Sequence, residues 1–131
     1  MGKRILLGSV VVLLVWAAMD FLIHGVILGP MYEASASLWR PMAEMKLGVM
    51  YTAMFISALC FVAVYGWFIG DKSTATGVKY GLLFGIGIGV GMGFGTYAVM
   101  PIPYVMAFAW FVGTAIEGLA AGLVAGLIVR G

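Results

Sequence analysis

The sequence has little of what a water-soluble surface is made from. Charged residues fill 9% of its 131 positions, against roughly 25% in ordinary soluble domains. There is one cysteine and one histidine. A lone thiol, Cys60, excludes an intrachain disulfide, and its place in an apolar run reads as a small buried side chain. A lone imidazole, His24, leaves too few ligands for a closed zinc or di-iron site within one chain. No Ser-His-Asp, Cys-His or HExxH arrangement is present, so hydrolytic chemistry finds no support and the chain reads as a non-enzyme. A net charge of +2 with no basic stripe argues against a nucleic-acid partner.

What the chain does have is hydrocarbon and glycine: 64% hydrophobic residues and 20 glycines, with a mean hydropathy of +1.15. Such a composition belongs in a lipid bilayer. A membrane-crossing helix needs about 20 apolar residues, and four stretches supply them: Ile5–Leu28, Leu47–Ile69, Val78–Met100 and Tyr104–Val129. The expected fold is all-α, a single domain over residues 1–131 forming a four-helix integral membrane bundle of two helical hairpins. The apolar run after Lys3 and Arg4 continues through Leu28, too long for a signal-peptide core of about 7–15 residues. It reads as a retained helix. Leu6 stands where a myristoylation signal has Ser or Thr.

Basic residues set the expected orientation. Lys3, Arg4, Lys72, Lys79 and Arg130 fall on one side, and Arg40 and Lys46 on the other. Both termini are therefore expected in the cytoplasm, with the bacterial inner membrane as the expected location. The sizeable loop "PMYEASASLWRPMAEMK" (residues 30–46) then faces outside. Its spacing predicts a short interfacial helix anchored by Tyr32 and Trp39, with Glu33, Arg40 and Glu44 as its polar groups. Gly29-Pro30 is expected to end the first span and Pro41 to begin the second.

The third span carries two glycine stripes. Gly77, Gly81, Gly85, Gly89 and Gly93 recur every four residues, and Gly87, Gly91 and Gly95 form a second row. Residues four apart share a helix face, and small residues let helices in lipid pack backbone to backbone. Gly118, Gly122 and Gly126 give the fourth span a matching surface. "GIGIGVGMG" is no nucleotide loop, because no strand precedes it, and no cofactor is implied. Two glycine faces exceed what one neighbour needs, so the second is expected to meet another subunit.

Three polar groups interrupt the hydrocarbon. Asp20 and His24, in "AAMDFLIHGVILG", lie one helical turn apart on one face, and Glu117 falls near the middle of the fourth span. A carboxylate at the bilayer centre costs at least about 2.5–3.5 kcal/mol. These side chains are expected to face protein or water rather than lipid. A structural role, with each group satisfied by internal hydrogen bonds, competes with a proton- or cation-handling role. A Cu(I) site built from His24 with Met31, Met42 and Met45 is a further alternative, since thioethers and imidazole suit that ion.

"WAAMDFLIHGVILGPMYE", "YGLLFGIGIGVG" and "WFVGTAIEGLAAGLVAGLIV" together resemble the small bacterial four-helix membrane proteins of unknown function. That resemblance implies a fold and no activity. Two functions are therefore weighed. One is a small membrane subunit that assembles with itself or with a larger membrane complex. The other is a proton-coupled or metal-handling carrier, oligomeric, with Asp20, His24 and Glu117 along its path.

Overall fold

The computed structural model describes residues 1–131 and contains helices and no strands. The first span is α1 (Gly2–Asp20), which runs without interruption into a π-helical stretch, Phe21–Ile27. A short helix, α2 (Gly29–Ala34), opens the loop, and single 3-10 turns follow at Ala36–Leu38 and Met42–Glu44. The second span is α3 (Leu47–Phe68). The third comprises α4 (Thr74–Val90), a second π-helical stretch (Gly91–Gly95) and α5 (Thr96–Val99). The fourth is α6 (Tyr104–Ile128). Four helices, Gly2–Ile27, Leu47–Phe68, Thr74–Val99 and Tyr104–Ile128, are long and apolar enough to cross a membrane. The chain is a four-helix membrane bundle.

The third span starts four residues before its expected Val78. Ser73 caps it, its Oγ accepting the Thr76 N–H at 3.0 Å, so the polar "TAT" becomes a first turn instead of a loop. Pro30 does not simply stop the first span; it occupies the first turn of α2, where its missing N–H costs nothing. Pro41 likewise does not begin the second span. It precedes the Met42–Glu44 turn, and α3 starts at Leu47.

α4 and α6 are the most closely packed pair. A Cβ built on Gly81 would stand 2.7 Å from the Gly122 Cα, and one on Gly118 would stand 2.6 Å from the Gly85 Cα. Both distances are shorter than any real carbon contact, so side chains are excluded there and the two backbones touch. Gly87, Gly91 and Gly95 have nothing within 4 Å. That row faces open space beside the single chain.

α1 lies against both α3 and α6, and the core forms in the half of the bundle that holds the termini. Ile5, Val12, Phe61, Val62, Tyr65, Ala121, Ala125 and Val129 are buried together there. α3 and α4 meet differently, through aromatic rings. Phe61 stacks 4.6 Å from Tyr80 and 5.6 Å from Phe84, and the Tyr80 hydroxyl donates to the Phe61 carbonyl at 2.6 Å. Tyr65 donates to the Ser73 carbonyl at 2.9 Å and accepts the Ser73 N–H at 3.2 Å. These rings hold the two backbones apart.

The loop over residues 30–46 corrects an expectation. Tyr32 and Trp39 do not anchor an amphipathic helix in the interface; both turn inward. The Trp39 ring stands edge-on to Tyr32 at 5.4 Å and to Trp110 at 5.9 Å. With Met31 and Leu38 they pack over a small core of Ile102, Met106 and Ala107. Two short turns and Pro41 break the segment, so no continuous helix can present an apolar stripe to lipid. Glu33, Arg40 and Glu44 remain exposed on its outside.

Candidate functional site: a cavity between the four helices

Above the aromatic joint, α3 and α4 part and a cavity of about 590 Å³ opens between the four spans. Its walls take Trp16, Asp20, Ile23 and His24 from the first span and Met54, Ser57, Cys60 and Phe61 from α3. Phe84, Ile88 and Met92 come from the third span, and Trp110, Thr114 and Glu117 from α6. Most of this lining is apolar. Neither lysine nor arginine contributes to it. Both π-helical stretches fall at the cavity's height, one holding Ile23 and His24, the other Met92. Such departures from α-helical winding widen a helix locally and recur where a side chain must be re-aimed.

The three membrane-embedded polar residues come together here. The Asp20 and His24 side chains are 32% and 44% exposed, and both border the cavity. His24 Nε2 lies 3.8 Å from Asp20 Oδ1, an electrostatic contact longer than a hydrogen bond. His24 Nδ1 lies 2.6 Å from the Tyr32 hydroxyl, and Trp110 Nε1 donates to that same oxygen at 2.6 Å. An indole N–H can only donate, so Tyr32 accepts from Trp110, and its bond with His24 Nδ1 runs from the hydroxyl to the ring when the imidazole proton sits on Nε2. In that tautomer the Nε2 proton faces Asp20. Burial pushes the Tyr32 hydroxyl above the usual tyrosine range, against the opposing effect of the Trp110 bond. Tyr32 therefore keeps its proton at neutral pH.

Glu117 arrives from the opposite helix. The Trp16 indole donates to its backbone carbonyl at 2.9 Å, which ties α1 to α6 at this depth. Its carboxyl neighbours Asp20 on the cavity wall, while its Oε1 is buried without any partner. A carboxylate only accepts, so the Asp20–Glu117 contact is a hydrogen bond only when a proton lies between them. The result is a row of polar groups, Trp110, Tyr32, His24, Asp20 and Glu117, hydrogen-bonded from Trp110 to His24 and in electrostatic contact beyond it.

Other sequence-derived candidates lie elsewhere. Met31 packs into the small core beneath the loop, and Met42, at 81%, and Met45 are exposed. The thioethers on the cavity wall belong to Met54 and Met92. No cluster of three or more His, Cys, Asp or Glu side chains is placed to hold a metal ion. Gly81, Gly85, Gly89 and Gly93 meet α6 and Gly118 and Gly122 meet α4, whereas Gly87 and Gly91 meet nothing. Cys60 corrects its expectation: it is exposed on the α3 face that turns toward the cavity. Trp110 and Tyr32 were absent from the polar site read from the sequence. Trp110 stands two helical turns before Glu117, the same face, and that spacing was the available signal.

No known protein family, curated protein or solved structure matches the chain. The cavity must be interpreted from its own chemistry.

Proposed function

We propose that the protein handles protons, together with a solute coupled to them, in the cavity between its four spans. One observation carries this reading: Asp20, His24 and Glu117 border one 590 Å³ space. Each charge is costly at that depth, and a purely structural role would be served by separate, fully satisfied contacts. Glu117 Oε1 instead lacks any partner. Intramembrane ionisable groups that face a cavity are the usual elements of proton relays. The Tyr32–His24–Asp20 line connects the loop to mid-helix, whereas Val12, Tyr65 and Val129, fully buried, seal the half that carries the termini. Proton exchange in this conformation is thus one-sided, and net movement requires that sealed half to open, as alternating access demands. The lysine and arginine distribution supports an orientation with both termini cytoplasmic.

The test is proton flux into vesicles holding the purified protein and a trapped pH indicator. Asp20→Asn and Glu117→Gln should each abolish the protein-dependent flux while the protein keeps its native size and helicity. Undiminished flux in both variants would overturn the reading.

A second reading, assembly with itself or with a larger membrane complex, is favoured by one feature. The Gly87, Gly91 and Gly95 row is open in the single chain and suits a helix from another subunit, as in a glycine zipper. Gly87→Leu and Gly91→Leu should lower the native mass; an unchanged mass would remove this support. The two readings are compatible, because a four-helix chain gains a more enclosed path as an oligomer.

A further inference from the structure

We infer that the solute is a lipophilic cation that reaches the cavity sideways from the bilayer, between α3 and α4; this rests on the proton-handling reading above. Charge makes the first selection. The cavity's ionisable wall consists of Asp20 and His24 from the first span, Cys60 from α3 and Glu117 from α6, with none from the third span and no lysine or arginine. An anionic solute would meet carboxyl groups and no counter-charge. Glu117 and Asp20, both on the cavity wall, offer a cation negative charge.

Shape and surface make the second. About 590 Å³ lies within the roughly 300–1,000 Å³ typical of small-molecule sites. Trp16, Phe61, Phe84 and Trp110 supply aromatic rings to the wall, and a cation is attracted to the face of such rings, most strongly where water is excluded. A hydrated inorganic ion gains nothing from these rings. An organic cation with apolar substituents gains from both walls.

The route follows from what is closed. The buried core shuts the terminal end, and Tyr32, Trp39 and Trp110 pack across the loop end. Between α3 and α4 the rim is exposed and apolar, formed by Cys60, Phe84, Ile88 and Met92. That opening lies within the spans, where acyl chains are the surroundings. Coupling follows from the Asp20–Glu117 contact: one proton held between two carboxyls gives the pair a single negative charge. A monocation entering between them displaces that proton, and one positive charge replaces another.

Tetraphenylphosphonium and tetraphenylborate, nearly identical in shape and opposite in charge, test this on the full chain in lipid nanodiscs. The phosphonium should bind saturably, quenching tryptophan fluorescence, with affinity falling by up to about tenfold per pH unit on acidification as the proton competes. Glu117→Gln should weaken it at least tenfold, and Ile88→Trp, which fills the α3–α4 gap, should slow its association. Equal saturable binding of the borate, or no saturable phosphonium binding, would overturn the cation assignment. An unchanged association rate in Ile88→Trp would overturn the lateral route. If the phosphonium fails while Asp20→Asn still abolishes proton flux, the cation class falls and the proton-handling reading stands. If flux is also insensitive to both carboxyl variants, both fall.

Discussion

The two halves of this bundle are built from the same four helices and differ in what stands between them. In the half that carries the termini, Gly8 and Gly66 let α1 and α3 approach, with Val62 and Ile5 filling the space against them. Val12, Val62, Tyr65 and Val129 are fully buried there. In the other half the α4–α6 glycine contact continues, but α3 stands away from α4 and the space stays open. Close packing in lipid depends on small residues at facing positions, since apolar side chains gain little by leaving acyl chains for protein. Where rings instead of glycines face each other, as Phe61 and Tyr80 do, the helices are propped apart. One half holds the bundle together and the other holds the polar groups.

The sharpest way to break that division is on the third span itself. Gly81→Leu must displace the α6 backbone, because even a methyl there would stand 2.7 Å from the Gly122 Cα. Gly81→Ala should already cost about 1–3 kcal/mol through overpacking, and Gly81→Leu should prevent folding. Gly87→Ala, with open space around it, should be neutral or stabilise by up to about 1 kcal/mol through helix propensity. Reversible unfolding in mixed micelles, under conditions that keep the chain monomeric, measures both. Equal effects at the two positions would contradict the packing.

A second comparison needs two valines on one helix. Val62 is fully buried in the core, and Val64 borders the cavity. Val62→Ala should cost about 1–3 kcal/mol, the transfer and void cost of a core truncation, while Val64→Ala should cost under about 0.5 kcal/mol because it enlarges a space already open. The same unfolding measurement decides it.

The smallest effect concerns the lid over the cavity. Tyr32→Phe removes the hydroxyl that accepts from Trp110 and bonds to His24, which should cost about 1–2 kcal/mol in stability. It should also slow proton entry from the loop side without changing flux direction. A variant with wild-type flux would show that Tyr32 is no part of the relay.

The spans are legible in the sequence because hydropathy and length alone decide which helices can cross a bilayer. The α4–α6 contact is legible for a similar reason: a four-residue glycine period puts the small residues on one face. Asp20, His24 and Glu117 stand out because each is costly in lipid. The cavity is not legible, because α1 and α3 are apolar on all sides and carry no periodic signal of the face that turns inward. Cys60 and Met54 therefore look no different from lipid-facing residues. Tyr32 is hidden for another reason. Its inward turn is fixed by α2 and by contacts with Trp110, 78 residues away, which no local pattern encodes.

Coupling in the cavity depends on the neighbouring carboxyls of Asp20 and Glu117, which bond to each other only if a proton lies between them. Infrared spectra of the membrane-reconstituted protein report protonated carboxyls through their C=O stretch. A single band of a hydrogen-bonded, protonated carboxyl is expected, shifted or lost in Asp20→Asn and likewise in Glu117→Gln. A band that survives unchanged in either variant would mean that the two groups do not share a proton, and the proposed coupling at this site would be wrong.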